Sequence, residues 1–258
     1  MNVKNVSLFI ATAMIATNSF AQKGDPKLTE FYSPVPKVIT SGKSVSDAPS
    51  DATILFDGKN LSEWVSTEDT TKEAAWTVAK KMLTVKKGTG NIQTKKSFTD
   101  YQLHIEWRIP ANITGEGQGR GNSGVFLAST GKGDAGYEIQ ILDCYNQSTY
   151  VNGQTASIYK QSIPLVNVCK KPGEWQVYDI VYHRPRFKAD GTLASAARLT
   201  VFHNGVLIQD NMELVGPTAN KSRPPYTAHP DRLPITLQDH GHPVRFRNVW
   251  LRELEVRP

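Results

Sequence analysis

Leu103-His104-Ile105-Glu106-Trp107-Arg108-Ile109 alternates apolar and polar residues without interruption. A β-strand turns successive side chains to opposite faces, so Leu103, Ile105, Trp107 and Ile109 face a core. His104, Glu106 and Arg108 face the other way. Gln176-Val177-Tyr178-Asp179-Ile180-Val181-Tyr182 reads as a second long strand. His203-Asn204-Gly205-Val206 reads as a hairpin, because Asn-Gly accepts the positive φ of a type I′ turn. Further strands are expected at 53–56, 76–79, 82–85, 91–94, 123–128, 137–142, 198–203, 206–210, 235–239 and 244–254, with Gly, Asn, Asp and Pro in the gaps. Amphipathic helical runs are short. Many short strands joined by tight turns mean an all-β, two-sheet sandwich.

The first 21 residues read as a secretory signal peptide. Lys4 supplies the positive start, Val6 to Ala16 a short apolar stretch, and Ser19-Phe20-Ala21 a cleavage site after Ala21. The protein is therefore expected to be secreted or periplasmic, with no membrane span. Residues 22–50 are rich in Pro, Ser, Lys and Asp and read as an extended or disordered arm; residues 51–258 form a single domain. The formal charge of +6 is spread along the chain with no basic stripe among aromatics, so nucleic acid is not an expected partner. Cys144 and Cys169 are the two cysteines; export permits a disulfide between them, and two buried thiols are the alternative.

Gly136-Tyr137-Glu138-Ile139-Gln140-Ile141-Leu142-Asp143 carries the chemistry. Tyr137, Ile139 and Ile141 point one way; Glu138, Gln140 and Leu142 point the other. A carboxylate and an amide on one strand face are costly to bury unpartnered, and are placed to grip a polyol and move a proton. Asp143 falls on the wrong parity unless a bulge between Gln140 and Asp143 returns it to their face.

His240-Gly241-His242 places two imidazoles in one turn, suited to acid, base or ligand roles. Arg120-Gly121-Asn122-Ser123-Gly124 lets backbone approach a ligand, with Arg120 and Asn122 as binding groups. The stretch before it, Gly115-Glu116-Gly117-Gln118-Gly119, reads as a lid. Arg247 shares strand parity with Val249 and Leu251, so it is expected either to pair with a core carboxylate or to reach into a cleft. No cofactor is demanded by the spacing. A divalent metal is compatible with Glu138, Asp143 and His240.

In chain order, residues 54–64 (Ile-Leu-Phe-Asp-Gly-Lys-Asn-Leu-Ser-Glu-Trp), Asn122-Ser123-Gly124-Val125-Phe126, Gly136–Gln140, Gly173–Tyr178, Phe202–Gly205, Leu237-Gln238-Asp239-His240-Gly241 and Val244–Trp250 together resemble the 3-keto-disaccharide hydrolase family. The resemblance implies a concanavalin- or laminarinase-like jelly roll, and a sugar substrate oxidised to a ketone at C3. Glu138, Gln140 and Asp143 look like the Glu-x-Asp-x-(x)-Glu motif of laminarinase-like jelly rolls with its centre neutralised and its last acid shortened. Retaining hydrolysis needs two carboxyls about 5 Å apart, which this pattern weakens. A 3-keto group instead acidifies the C2 proton, so a base, a donor for the enolate and an acid for the leaving oxygen suffice for elimination. Glu138, His240 and Asp143 are the catalytic candidates. Gln140, Arg120, Asn122, Tyr159, Lys160, His242 and Arg247 are the candidate binding residues, Tyr159-Lys160 following a family-like Ile-Tyr phrase. A non-catalytic carbohydrate-binding module and a conventional retaining glycosidase are the competing readings.

Overall fold

The computed structural model describes residues 24–255; the expected signal peptide lies outside the described residues. The chain divides into a unit of Met1–Val38 and a unit of Ile39–Pro258. The described part of the first is exposed chain with one 3-10 turn, Pro26–Thr29. The second contains the strands β1 Thr53–Phe56, β2 Trp64–Ser66, β3 Thr77–Ala79, β4 Met82–Thr84, β5 Ile92–Thr94, β6 Tyr101–Arg108, β7 Ser123–Ser129, β8 Gly136–Ile141, β9 Gln176–His183, β10 Arg186–Phe187, β11 Leu193–Ser195, β12 Arg198–His203, β13 Val206–Glu213, β14 Thr236–Leu237 and β15 Arg245–Glu253. The expected strands all form, with ends shifted by one to three residues; β2, β10 and β11 are additions whose short segments lack a readable alternation.

One sheet runs β13-β12-β9-β6-β15-β4-β3 with β1 also on β15; a second runs β2-β5-β14-β7-β8, and β10 and β11 form a separate two-stranded pair. The pairings are antiparallel. This is the two-sheet jelly-roll sandwich. Leu103, Ile105, Trp107, Tyr178, Ile180 and Phe246 of the larger sheet bury against Val125, Leu127, Tyr137, Ile139 and Ile141 of the smaller. Two tyrosines cross the core: Tyr178 Oη donates to Gln140 O at 2.8 Å and Tyr101 Oη to Leu127 O at 2.5 Å. The phenol ring fills apolar volume while its hydroxyl satisfies a backbone carbonyl of the opposite sheet. Asn204 and Gly205 take φ of 52° and 81°, as the hairpin requires. Cys144 and Cys169 are joined as a disulfide, closing a separation of 25 residues.

The expected parity of Arg247 is overturned by a β-bulge. Arg247 faces Glu106 but Trp250 faces His104, so β15 spends three steps where β6 spends two. Asn248, at φ 46°, is the extra residue. The bulge lets Phe246, Val249 and Leu251 face the core and turns Arg247, Trp250 and Arg252 outward. On that outer face Arg247 Nε donates to Glu106 Oε2 at 2.6 Å, and His104 Nδ1 lies 2.6 Å from Asp179 Oδ1. Asn248 Nδ2 bonds Glu106 at 2.9 Å and, with Trp250 Nε1, the carbonyl of Ser46, at 2.8 and 2.9 Å. Residues 39–50 thus pack on the sheet as part of the compact unit.

Burial opposes the charge on His104, but Asp179 and Glu106 outweigh it and raise its pKa to about 9. A histidine raised from 6.5 to about 9 contributes its full stabilisation below pH 6.5 and loses it as pH rises through about 9. The wild-type Tm is expected to fall across that window relative to His104→Asn, the difference narrowing as the histidine deprotonates. Thermal melts of both proteins from pH 5 to 10 test this; a constant difference refutes it.

Candidate functional site

β8 is held on both edges and on one face. β7 pairs with one edge, placing Phe126 opposite Glu138 and Gly124 opposite Gln140. An irregular segment takes the other edge: Tyr159 N donates to Glu138 O at 3.2 Å, Ala156 N to Gln140 O at 3.0 Å, and Gln140 N to Ser157 O at 3.0 Å. Thr218 Oγ1 accepts from Glu138 N at 3.0 Å. With Tyr137, Ile139 and Ile141 sealed in the core, Glu138 and Gln140 face a solvent-open cleft of about 130 Å3. Asn122, Glu138, Gln140, Tyr159 and His240 line it, five of the residues expected from sequence.

Glu138 is 5% exposed, and among the described residues nothing hydrogen-bonds or ion-pairs with its carboxylate. Its room comes from Gly124: a Cβ there would overlap Glu138 Oε1. Burial raises the Glu138 pKa to about 8, and the negative charge of Asp134 adds to the rise. An acid of that strength exchanges a proton readily near neutrality. Gln140 Nε2 donates to Gln118 Oε1 at 3.2 Å and to Gly153 O at 3.3 Å. Asn122 Nδ2 donates to Gln118 O at 3.0 Å. The Gly-rich 115–119 stretch is thereby tied to the cleft through Gln118, which also donates to Thr149 Oγ1 at 2.9 Å and Gly153 O at 2.7 Å. Tyr159 Oη lies 2.7 Å from Tyr150 Oη and donates to Asn220 Oδ1 at 3.3 Å. Burial raises its pKa above the ordinary phenol value.

The other expected residues stand elsewhere. β8 ends at Ile141, and the irregularity of its pairing with β7 falls at its other end, between Phe126 and Ser129. No bulge therefore returns Asp143 to Glu138. Asp143 Oδ2 instead accepts from Arg120 Nε at 2.6 Å, and Arg120 also donates to Ile113 O at 3.0 Å. Each consumes the other, and neither lines the cleft. The trio Glu138, Asp143 and His240 forms no ligand set, and among the described residues no group of three His, Cys, Asp or Glu is arranged to hold a metal ion. Lys160 lies with Nζ 3.7 Å from the Tyr150 ring centroid, outside the cleft lining. His242 turns to a neighbouring hollow, with Nε2 3.0 Å from Gly119 O. Arg247 is on the other sheet, paired with Glu106. Trp64, Trp76, Trp107 and Trp250 are buried, and Trp175 packs against Arg108 and Arg247, so no tryptophan lines the cleft.

Asp134, Thr218, Ala219, Asn220 and Gln238 complete the lining and were not singled out from sequence. Gln238 had a readable signal, two residues before His240 in the same phrase. Among the described residues its Oε1 is buried without a hydrogen-bond partner. Asp134 looked like an ordinary turn residue in Lys132-Gly133-Asp134. Thr218 to Asn220 come from a distant Pro-rich connection with no periodicity.

A family model described as the 3-keto-alpha-glucoside-1,2-lyase-like domain matches residues 51–252. Among solved structures, a "putative glycosyl hydrolase" from Parabacteroides distasonis ATCC 8503 is 50% identical, with a TM-score of 0.82 over 89% of this chain and 97% of that one. A second protein so named from the same organism is 20% identical, with a TM-score of 0.56 over 79% and 94% of the two chains, and speaks to the fold alone. No protein of curated function matches this chain.

A carboxyl raised from 4.5 to about 8 binds more protons folded than unfolded, so it costs stability as pH rises through that interval. Glu138→Gln keeps the shape and removes the cost. It is expected to match wild type in stability near pH 4.5 and to exceed it by a few kcal/mol, to order of magnitude, above pH 8. Urea unfolding at both pH values measures this; equal stability at high pH refutes the buried, unpartnered carboxylate.

Proposed function

This chain belongs to the 3-keto-alpha-glucoside-1,2-lyase-like domain family, and from that premise we propose that it cleaves the glycosidic bond of 3-keto-glycosides by β-elimination. Its role in acting on carbohydrate follows from the family; the substrate and the step are inferred from the cleft. The observation that carries the reading is Glu138, a buried carboxyl without a partner among the described residues, on the floor of a polar cleft, with a pKa near 8. The ionised carboxylate removes the proton from C2. The C2–H electron pair forms the C2–C3 enolate, whose negative charge rests on O3. Collapse of the enolate forms the C1–C2 double bond and expels the C1 oxygen substituent, protonated by His240. The products are a 2-hydroxy-3-keto-glycal and the free aglycone, and water adding across the double bond then gives the 3-keto sugar. Tyr159, Asn122, Gln140 and Gln238 offer donors and acceptors for the hydroxyls and for O3. Asp143 and Arg120, tied to each other, act as a brace for the 113–120 loop rather than as acid and substrate clamp.

A second reading is retaining hydrolysis, favoured by one observation: Asp134 supplies a second carboxylate facing the same cleft. It does not use the C2 proton. We also infer export, from the signal peptide read in residues 1–21; a mature protein beginning at any residue other than Gln22 would refute the assigned cleavage site.

Glu138→Gln is expected to lower kcat on a 3-keto-glucoside by about 10²- to 10⁴-fold, the usual range for loss of a general base. Turnover near wild type removes Glu138 from proton transfer. A 3-keto-glucoside deuterated at C2 should show a primary isotope effect when proton removal limits the rate, and product formed in D2O should carry deuterium at C2. The matched glucoside without the ketone should remain intact. Retention of the C2 hydrogen over many turnovers, with no enone absorbance from a glycal, would favour direct displacement through Glu138 and Asp134.

A further inference from the structure

Asp134 and His240 reach the cleft from two loops far apart in sequence, and one buried side chain touches both. Asn91 is 6% exposed. Its Oδ1 accepts from the Asp239 amide at 2.7 Å, while its Nδ2 donates to Gly133 O at 3.0 Å and to Asp134 Oδ1 at 2.9 Å. The orientation of the amide is forced: an N–H stands on one side and two oxygens on the other. Asp239 continues the network. Its Oδ2 accepts from Gly88 N at 2.8 Å and Gly90 N at 3.1 Å, and its Oδ1 from Gly241 N at 2.9 Å. Gly88, Gly90 and Gly241 all lie at φ between 80° and 82°, a left-handed conformation that glycine takes without strain. Those turns aim three amides at one carboxylate and fix the residues on either side of His240.

We propose that Asn91 is a positioning residue for this site, a clasp whose carbonyl holds the His240 loop and whose amide nitrogen holds the Asp134 loop. It touches neither the cleft nor a substrate. The Asp239 carboxylate also holds the His240 loop, whereas Asp134 is exposed and follows Gly131 and Gly133. A backbone shift of about 1 Å in the His240 loop moves His240 away from the leaving oxygen it protonates, a displacement that can cost about a hundredfold in rate. The clasp rests on the proposed reaction only for its kinetic consequence; its mechanical consequence stands without it.

Two variants separate the halves. Asn91→Ala removes both. Asn91→Asp keeps an acceptor for the Asp239 amide but sets a carboxylate against Gly133 O and Asp134. Amide hydrogen exchange needs no substrate: the Asp239 amide reports one half, and the Thr130 amide, bonded to Ala135 O at 3.1 Å across the neck of the Asp134 loop, reports the other. In Asn91→Ala both are expected to exchange at least about tenfold faster, while the amide of Ile105 in β6 keeps its rate. In Asn91→Asp only the Thr130 amide should accelerate. On a 3-keto-glucoside, Asn91→Ala should lower kcat by about 10- to 100-fold with KM nearly unchanged, and should add nothing further in a protein already carrying His240→Ala. Exchange within about twofold of wild type at both amides, or a kinetic loss that adds fully to that of His240→Ala, overturns the clasp. Failure of the reaction assignment is separately visible, as an unaltered protein that leaves 3-keto-glucosides intact, and the exchange rates then decide the clasp alone.

Discussion

Strand β8 must satisfy four sides at once, and the rest of the structure follows from how it does so. One face carries Tyr137, Ile139 and Ile141 into the core, and Tyr178 reaches across that core to bond the carbonyl of Gln140. One edge belongs to β7 and the other to residues 156–159. Only the face of Glu138 and Gln140 is left open. A period of two residues makes the exchange strict: a one-residue slip would bury the acid in the core and expose the isoleucines. The cleft is therefore the remainder of a well-packed strand, and its floor inherits the rigidity of the sandwich.

Glu106 and Glu138 show how the same side chain is given opposite characters. Both are nearly buried, and burial alone pushes a carboxyl towards its neutral form. Glu106 is met by His104, Asn248 and Arg247, which override burial and hold its pKa at about 2. Glu138 meets no cation and faces Asp134, so its pKa climbs to about 8. The first is a fixed charge on the outer face of the larger sheet, tying β6 to β15 through Arg247 and Asn248. The second is an uncompensated buried acid held at a cost in stability, the pattern expected of a functional group.

The cleft walls are irregular. Asp134 arrives on the β7–β8 connection, Tyr159 on the segment flanking β8, Thr218 to Asn220 on the connection before β14, and His240 on the turn after it. Polar side chains take over the work that sheet ladders do elsewhere: Gln118 gathers Gln140, Asn122 and Gly153; Asn91 and Asp239 gather four backbone amides and two loops. Loops without apolar anchors keep a single arrangement only when their hydrogen bonds are specific.

Local patterning determined a great deal. Alternation at 103–109 and 137–142 announced strands and the face each would bury, Asn204-Gly205 announced its hairpin, and the ordered phrases pointed to the family. These signals are legible because period and turn chemistry are properties of neighbours in the chain. Glu138, Gln140, Asn122, Tyr159 and His240 were legible for the same reason, lying in or beside such phrases. Tertiary structure decided what neighbours cannot express. Asn248 adds one residue to β15 and turns Arg247 away from the core face that simple alternation assigned it. Arg120 and Asp143, 23 residues apart, spend their charges on each other. Asp134, in the cleft lining, is bonded by Asn91, 43 residues earlier in the chain. Parity is local, so a sequence carries it; a partner across the fold is set by sheet order and register, and only packing brings it into reach.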